Sequence, residues 1–260
     1  MITIGSLFSG IGGLELGLER ATGGRTLWQV ERDEWCRRVL AKHWPDAERF
    51  DDVRTVGACS LRPVDLICGG FPCQDVSFAG RGAGLAGSRS GLWYEYRRIV
   101  GELRPRVVVV ENVAAAKRWV PHVLGDLTEL GYRARAFALS AADVGSPHLR
   151  RRVFIVAVAH RTGLEERGDT PGLRQQSPAG RGSARAWPPR RGDVDGWREW
   201  LAAGGPPAAV PRLRGGPDGL PGGVDRDRTA RLRALGNAVV PQCAEVIGRI
   251  VMEELYARGR

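Results

Sequence analysis

Short apolar runs alternate with amphipathic stretches through the first 160 residues. Ile2 to Phe8 reads as a first strand. The turn SGIGG follows, then LELGLERA, whose apolar positions Leu14, Leu16, Leu18 and Ala21 predict a helix. Thr26 to Glu31 reads as a second strand, and Asp33 stands where a helix N-cap belongs. Asp65 to Gly70 is a third clear strand. Arg106 to Val113, RVVVVENV, is the strongest in the chain, because four consecutive valines demand burial on both faces, as in a central parallel strand. Val120 to Leu130 has helical period, GYRARAFAL alternates as a strand does, and Arg152 to Ala159 is another strand. Strands alternating with helices in this way predict a doubly wound α/β sheet.

The pattern changes at His160. From there to Asp227 the chain is rich in Gly, Pro and Arg, and Trp187, Trp197 and Trp200 are its main candidate core residues. Such a segment is either a loosely built small domain or a flexible insertion. Order returns at Arg228 with TARLRALGNAVVPQ and a C-terminal helix, CAEVIGRIVMEELYARG. With 260 residues, the chain has room for one large domain, or one domain plus a small second one. The resulting division is 1–159, 160–227 and 228–260.

Composition narrows the function classes. No apolar run reaches the length of a membrane span. The opening MITIGSLFSG has neither a charged leader nor a cleavage pattern, so no signal peptide is expected. Five scattered cysteines (36, 59, 68, 73 and 243), with no CxxC pair and few histidines, argue against a zinc site or a disulfide framework and fit a reducing cytoplasm. The formal net charge of +10 points to a polyanionic partner, most simply nucleic acid. Lys42 and Lys117 are the only lysines. GC-rich coding accounts for arginine over lysine, but not for the excess of basic over acidic residues.

Four stretches carry candidate chemistry. In LFSGIGG, Leu7 to Gly13, a glycine-rich turn between strand and helix lets backbone amides approach a ligand. Glu15 occupies the position where a dinucleotide fold wants a third small residue, which argues against a nicotinamide cofactor. Glu31, about 20 residues past the glycines, can accept from ribose hydroxyls. Together they suggest a nucleoside cofactor without a pyrophosphate. In FPCQ, Phe71 to Gln74, Cys73 stands in a stiff, glycine-flanked loop, either as a displayed nucleophile or as a small hydrophobe in a turn. ENV, Glu111 to Val113, ends the valine strand, where ligands of open parallel sheets gather. A carboxylate there works as an acid or base, pairs with a cation, or caps a helix, a role Asn112 could equally serve. In SPHLRRRVFIV, arginines precede a strand. An antiparallel strand would bring Arg150 and Arg152 to Cys73 and Glu111, whereas a parallel one would leave them as a solvated basic patch at the opposite end.

These elements, in this order, resemble the DNA cytosine-5 methyltransferase family over most of 1–159 and again over about 228–250. FSGIGG resembles its cofactor loop, PCQ its nucleophile motif, ENV its acid motif, the RxR of LRRRVF its arginine motif, and RALGNAVVPQ its late motif. The resemblance implies a Rossmann-like S-adenosylmethionine-dependent methyltransferase fold, mostly parallel with an antiparallel last strand, plus a small irregular second domain. It implies Cys73 as nucleophile toward carbon 6 of a flipped cytosine, Glu111 on the N3 and amino edge, and Arg152 and Arg150 positioning base and acid. Pro72 and Gln74 would fix the loop, and Ser77 would contact phosphate. For S-adenosyl-L-methionine it implies Phe8, Gly10 and Gly12 along the adenosine and methionine portions, Glu31 on ribose, Asp52 and Val53 at adenine, and Asn237 and Val239 over the methionine end. No metal is implied.

The implied partner is double-stranded DNA, the implied setting the cytoplasm of a bacterium or phage-infected host, the role restriction-modification or self-protection, and the simplest state a monomer. Two positions depart from the family pattern: His148, where Gln is frequent, and Arg32, where an aromatic or apolar residue follows the ribose acid. The conventional leucine-and-arginine motif after a longer recognition domain is not found, so 160–227 is the only room for target recognition, and a short site is expected. A tRNA methyltransferase, a catalytically silent DNA-binding relative and a nicotinamide oxidoreductase are the alternatives. The intact Cys73, Glu111 and Arg152 set argues against the silent relative.

Overall fold

The computed structural model describes residues 1–72, 91–113, 116–146, 149–160 and 228–256. Strand β1 (Thr3–Leu7) leads into helix α1 (Gly13–Thr22), β2 (Arg25–Val30), α2 (Glu34–His43) and a short β3 (Glu48–Phe50). Then come β4 (Leu66–Gly69), α3 (Gly91–Leu103), β5 (Val107–Val113), α4 (Ala116–Glu129), β6 (Tyr132–Ser140) and β7 (Arg151–Ala159). Helices α5 (Arg228–Asn237) and α6 (Pro241–Tyr256) complete the described chain.

The seven strands lie in the order β3-β2-β1-β4-β5-β7-β6. From β3 to β5 every pairing is parallel, and β7 runs antiparallel to both β5 and β6. This reversed penultimate strand separates the fold from the all-parallel order of dinucleotide-binding domains. β5 is buried at its first six positions, as the valine run requires.

Each face of the sheet is covered by helices. On one face, Trp93, Tyr96, Ile99 and Val100 of α3 and Val123 and Leu127 of α4 pack with Leu7, Trp28, Ile67, Val108 and Val110. On the other, Leu14 and Leu18 of α1 and Ala244, Ile247 and Val251 of α6 cover Ile4, Leu66, Val107, Val109 and Phe154. Each such large side chain, fully buried, contributes about 1.5–3 kcal/mol.

The two helices of the second face touch almost backbone to backbone. A Cβ added at Gly17 would lie 2.2 Å from the Pro241 carbonyl oxygen and 2.5 Å from Ala244 Cβ. A Cβ at Gly248 would lie 2.5 Å from Ala21 Cβ. The far C-terminal segment is thus packed onto the first helix of the chain.

Several sequence expectations need adjusting. The sequence pattern does not show α3, since its aromatic first turn is a weak helix former and burial of Trp93 and Tyr96 decides it. β3 has three residues, too few to show a period. In α1, Glu15 is buried while Leu16 is only half-buried, because the helix presents Leu14, Glu15, Gly17 and Leu18 inward. Gly17→Ala is expected to lower stability by about 1–3 kcal/mol through overpacking. Denaturant titration checks this, and the same midpoint as wild type contradicts the packing argument.

Candidate active site

Parallel strands place their carboxyl ends along one edge of the sheet, and β7 adds its amino end to that edge. Glu111 is the fifth residue of β5, opposite Phe154, and Arg152 lies two residues before Phe154 on β7. They are diagonal neighbours on one face, within reach of long side chains. Arg152 Nε lies 2.9 Å from Glu111 Oε1, with the two side chains 18% and 8% exposed. The contact pulls the carboxyl pKa down, yet its N–H direction leaves the hydrogen bonding of Oε1 incomplete. Burial is the larger influence and pushes Glu111 up to about 7, against the opposing charges of Arg152 and Arg150.

Space for this carboxyl comes from β4. The register sets Gly69 beside Val110, so Gly70 follows beside Glu111. A Cβ at Gly70 would lie 2.6 Å from Glu111 Oε2. The next residues carry the chain out of the sheet: Phe71 is buried, and Pro72 is exposed. Phe71 packs against Trp93 and Trp119, with ring centroids 5.4 and 5.8 Å away. Its carbonyl accepts a 2.9 Å hydrogen bond from Asn112 Nδ2. Strand alternation explains this pairing of roles, since Asn112 faces the opposite side of the sheet from Glu111. By sequence Asn112 is equally a candidate helix cap. Its alternation with Glu111 was the available signal that it instead holds the loop leading to Cys73.

Arg150 donates from Nη2 to the Gly236 carbonyl at 2.6 Å, tying the arginine motif to the end of α5. Burial and the neighbouring Arg152 charge lower its pKa. Arg233 of α5 pairs with Asp33, the N-cap of α2. The return segment therefore has anchors on both sides of the sheet edge, neither of which sequence spacing could reveal.

The glycine turn after β1 forms the second part of the site. Phe8 (φ 55°), Gly10 (φ 57°) and Gly12 (φ 85°) are all left-handed. For Phe8 this is a strained state, uncommon outside glycine. A Cβ at Gly10 would meet nothing within 4 Å, so the turn faces open space there. Glu31 accepts from the Gly10 and Asp33 backbone amides, both at 2.7 Å. Burial raises its pKa, and those two amides oppose the rise. Asp52, next to the end of β3, is held below the usual carboxylate range by its hydrogen bonds from Arg54. Val53 is buried. Val239 lies against the start of α1, where its carbonyl oxygen would be 2.2 Å from a Cβ at Gly13, and Asn237 is exposed at the end of α5.

The structure thus brings Glu111, Arg152, Arg150 and the Gly70–Pro72 exit together, and separately Phe8, Gly10, Gly12 and Glu31, along one sheet edge. Cys73, Gln74, Ser77 and His148 lie outside the described residues, as do 161–227 and its three tryptophans. Among the described residues no cluster of metal-ligating side chains occurs, and no helix is long and apolar enough to cross a membrane.

Comparison with known proteins decides the family. The profile of the C-5 cytosine-specific DNA methylases matches residues 2–181. The chain belongs to that family. The type II methyltransferase M.NgoFVII of Neisseria gonorrhoeae is 35% identical over 173 residues, covering 64% of this chain and 46% of that protein. M.HhaI of Haemophilus parahaemolyticus is 32% identical over 158 residues, covering 58% and 47%. An E. coli protein described as a candidate DNA modification methyltransferase encoded within a prophage superposes with a TM-score of 0.52 at 28% identity, covering 61% of this chain and 47% of that one. The matches span about half the length of these relatives. The superposition agrees with an α/β methyltransferase fold.

The raised Glu111 pKa has a consequence for stability. Its folded value, about 7, lies above the free value of 4.5. Its neutral form therefore favours the fold. That contribution is complete below about pH 4.5 and is lost as pH rises through about 7. Glu111→Gln is expected to remove this dependence. The stability of wild type relative to the variant should fall by up to about 3 kcal/mol across that window. Urea unfolding at a series of pH values measures it, and parallel pH profiles would contradict the assignment.

Proposed function

We propose that the protein is a DNA (cytosine-5)-methyltransferase, acting on a flipped cytosine in a short duplex site through a covalent Cys73 adduct. The buried Glu111–Arg152 pair beside the Gly70–Pro72 exit carries this reading. Near neutral pH a carboxyl with a pKa of about 7 is substantially protonated and can donate a hydrogen bond. Donation to N3 of cytosine withdraws electrons from the ring and makes carbon 6 open to attack. The incomplete hydrogen bonding of Glu111 Oε1 suits a second contact to the amino edge of the base. Arg152 and Arg150 hold the carboxyl in place and offset any negative charge it develops.

Cys73 follows Pro72 directly in sequence. Its thiolate adds at carbon 6, which turns carbons 4 and 5 into an enamine-like system nucleophilic at carbon 5. After methyl transfer a base removes the carbon-5 proton and the thiolate leaves. A cytosine inside a duplex is out of reach of such a site, so it is extruded from the stack.

S-adenosyl-L-methionine supplies a methyl group activated on a sulfonium. The residues at the glycine turn suit it. Open space at Gly10 admits close approach to backbone, the oxygens of Glu31 retain lone pairs for ribose hydroxyls, and the half-buried Phe8 ring offers an apolar surface. Asp52 and Val53 would meet adenine, and Asn237 and Val239 the methionine end. Pro72 and Gln74 would shape the nucleophile loop and Ser77 would reach phosphate. Residues 160–227 would read the target, with arginines suited to guanine edges. The excess positive charge favours binding to the DNA backbone. We assign the protein to the cytoplasm, as a monomer, in a restriction-modification or self-protection role.

Incubating a randomised duplex library with protein and S-adenosyl-L-methionine, followed by cytosine-conversion sequencing, tests the activity. A methylated short motif is the expected result. Absence of methylated cytosine, with cofactor binding intact, would refute the DNA reading and direct the assay to RNA. Cys73→Ala should retain cofactor affinity within about twofold and lose methyl transfer entirely, since no remaining group supplies the covalent step. Persistent transfer would remove Cys73 from the mechanism.

A further inference from the structure

A polar row crosses the apolar face beneath α1. Ser6 of β1 pairs in register with Gln29 of β2 on one side and Cys68 of β4 on the other. All three are fully buried. Their face is the one that holds Ile4, Leu66, Val107 and the inward residues of α1 and α6. Glu15, also fully buried, comes down onto this row from the first turn of α1. Among the described residues, neither carboxyl oxygen of Glu15 and neither amide atom of Gln29 completes a hydrogen bond. Ser6 and Ser9 are the side chains close enough to Glu15 to pull its pKa down.

An apolar side chain at this position would pack with Leu14 and Leu18 and avoid the cost of burying a carboxyl. What Glu15 adds is a polar group beside Ser6 and Ser9, at the base of the glycine turn. Ser9 donates to Ser6 Oγ at 2.9 Å, and its backbone binds Val30 and Gly12 at 3.2 and 3.0 Å. Ser9 is therefore the inner fixing point of a turn with three left-handed residues. The outer fixing point is the Gly10 amide on Glu31. Glu31 is also the residue assigned to ribose, so the inner point has to hold when ribose engages it.

We propose that Glu15 is a positioning residue for the Phe8–Gly12 turn, acting through Ser6 and Ser9 from inside the sheet. The proposal rests on the reading of that turn as the cofactor site. Glu15 works in its neutral form, since burial pushes it up to about 7. Ionisation would place a charge beside the Glu19 carboxylate, which is held by the Thr26 amide and Trp44. Cys68 stays a thiol throughout, with its pKa raised by burial. On α6, Glu245 is paired with Arg249. Glu31 also has a raised pKa, so its own effect is separated by comparing variants that differ only at position 15.

The test measures S-adenosylmethionine and S-adenosylhomocysteine affinity by calorimetry from pH 6 to 8.5 in wild type, Glu15→Gln and Glu15→Leu. The expected result has three parts. Glu15→Gln binds within about twofold of wild type at pH 6. Wild type weakens more than Glu15→Gln as pH rises through 7. Glu15→Leu binds at least about tenfold more weakly throughout, because Ser6 and Ser9 then face an apolar side chain in place of a polar one. Unchanged affinity in Glu15→Leu, or superimposable pH profiles for wild type and Glu15→Gln, would overturn the proposal. If Glu15→Leu does not fold, the Glu15→Gln profile still decides. If wild type binds neither ligand, the cofactor reading fails, and hydrogen exchange of the Gly10–Gly13 amides then judges Glu15 alone. Faster exchange in Glu15→Leu but not in Glu15→Gln supports the positioning role, and equal exchange rejects it.

Discussion

The site depends on the reversal of one strand. Because β7 runs antiparallel between β5 and β6, its amino end lies at the edge where the parallel strands have their carboxyl ends. A parallel β7 would carry Arg150 and Arg152 to the far end of the sheet. Reversed, it sets Arg152 diagonally from Glu111 and lets two cations accompany one buried carboxyl. A carboxyl in an apolar environment is costly alone, and a partly compensated one keeps a pKa near neutrality. The balance of burial against Arg152 and Arg150 places Glu111 at about 7 rather than at either extreme.

The close approach of Gly70 to Glu111 and the bond from Asn112 to Phe71 show how one strand end serves two purposes. Alternate residues of β5 face opposite sides. One side carries the Glu111 carboxyl, and the other fixes the chain at Phe71. The aromatic cluster of Phe71, Trp93 and Trp119 packs around that exit. At the opposite flank the glycine turn is held from outside by Glu31 and from inside by Ser9. The polar row of Gln29, Ser6 and Cys68 lies on the same face of the sheet as Glu111 and Arg152. Its position under α1 gives the otherwise apolar core a polar seam below the turn.

The return segment closes the arrangement. α6 packs on α1 through Gly17, Ala244, Gly248 and Ala21, and α5 is tied to Asp33 through Arg233 and to the Arg150 side chain through the Gly236 carbonyl. The last helices of the chain thereby touch elements from its beginning. The same contacts keep Val239 against the first turn of α1.

Local pattern alone determined most of the elements. Four valines in a row require a strand buried on both faces, glycines between a strand and an amphipathic helix require a turn, and Asp33 caps the helix it precedes. The motif order was enough to identify the family and to point to Glu111 and Arg152, which the sheet brings together. What the sequence could not determine is whatever depends on direction and depth. Strand direction is not encoded in strand pattern, so the meeting of Arg152 with Glu111 stood as a condition until the sheet was seen. α3 and β3 are not legible in the pattern, because one has an aromatic first turn and the other is too short to show a period. Glu15 reads in sequence as a polar residue on an amphipathic helix. Only the packing of α1 on the sheet turns it inward, because burial is a property of the assembled layers and not of any one of them.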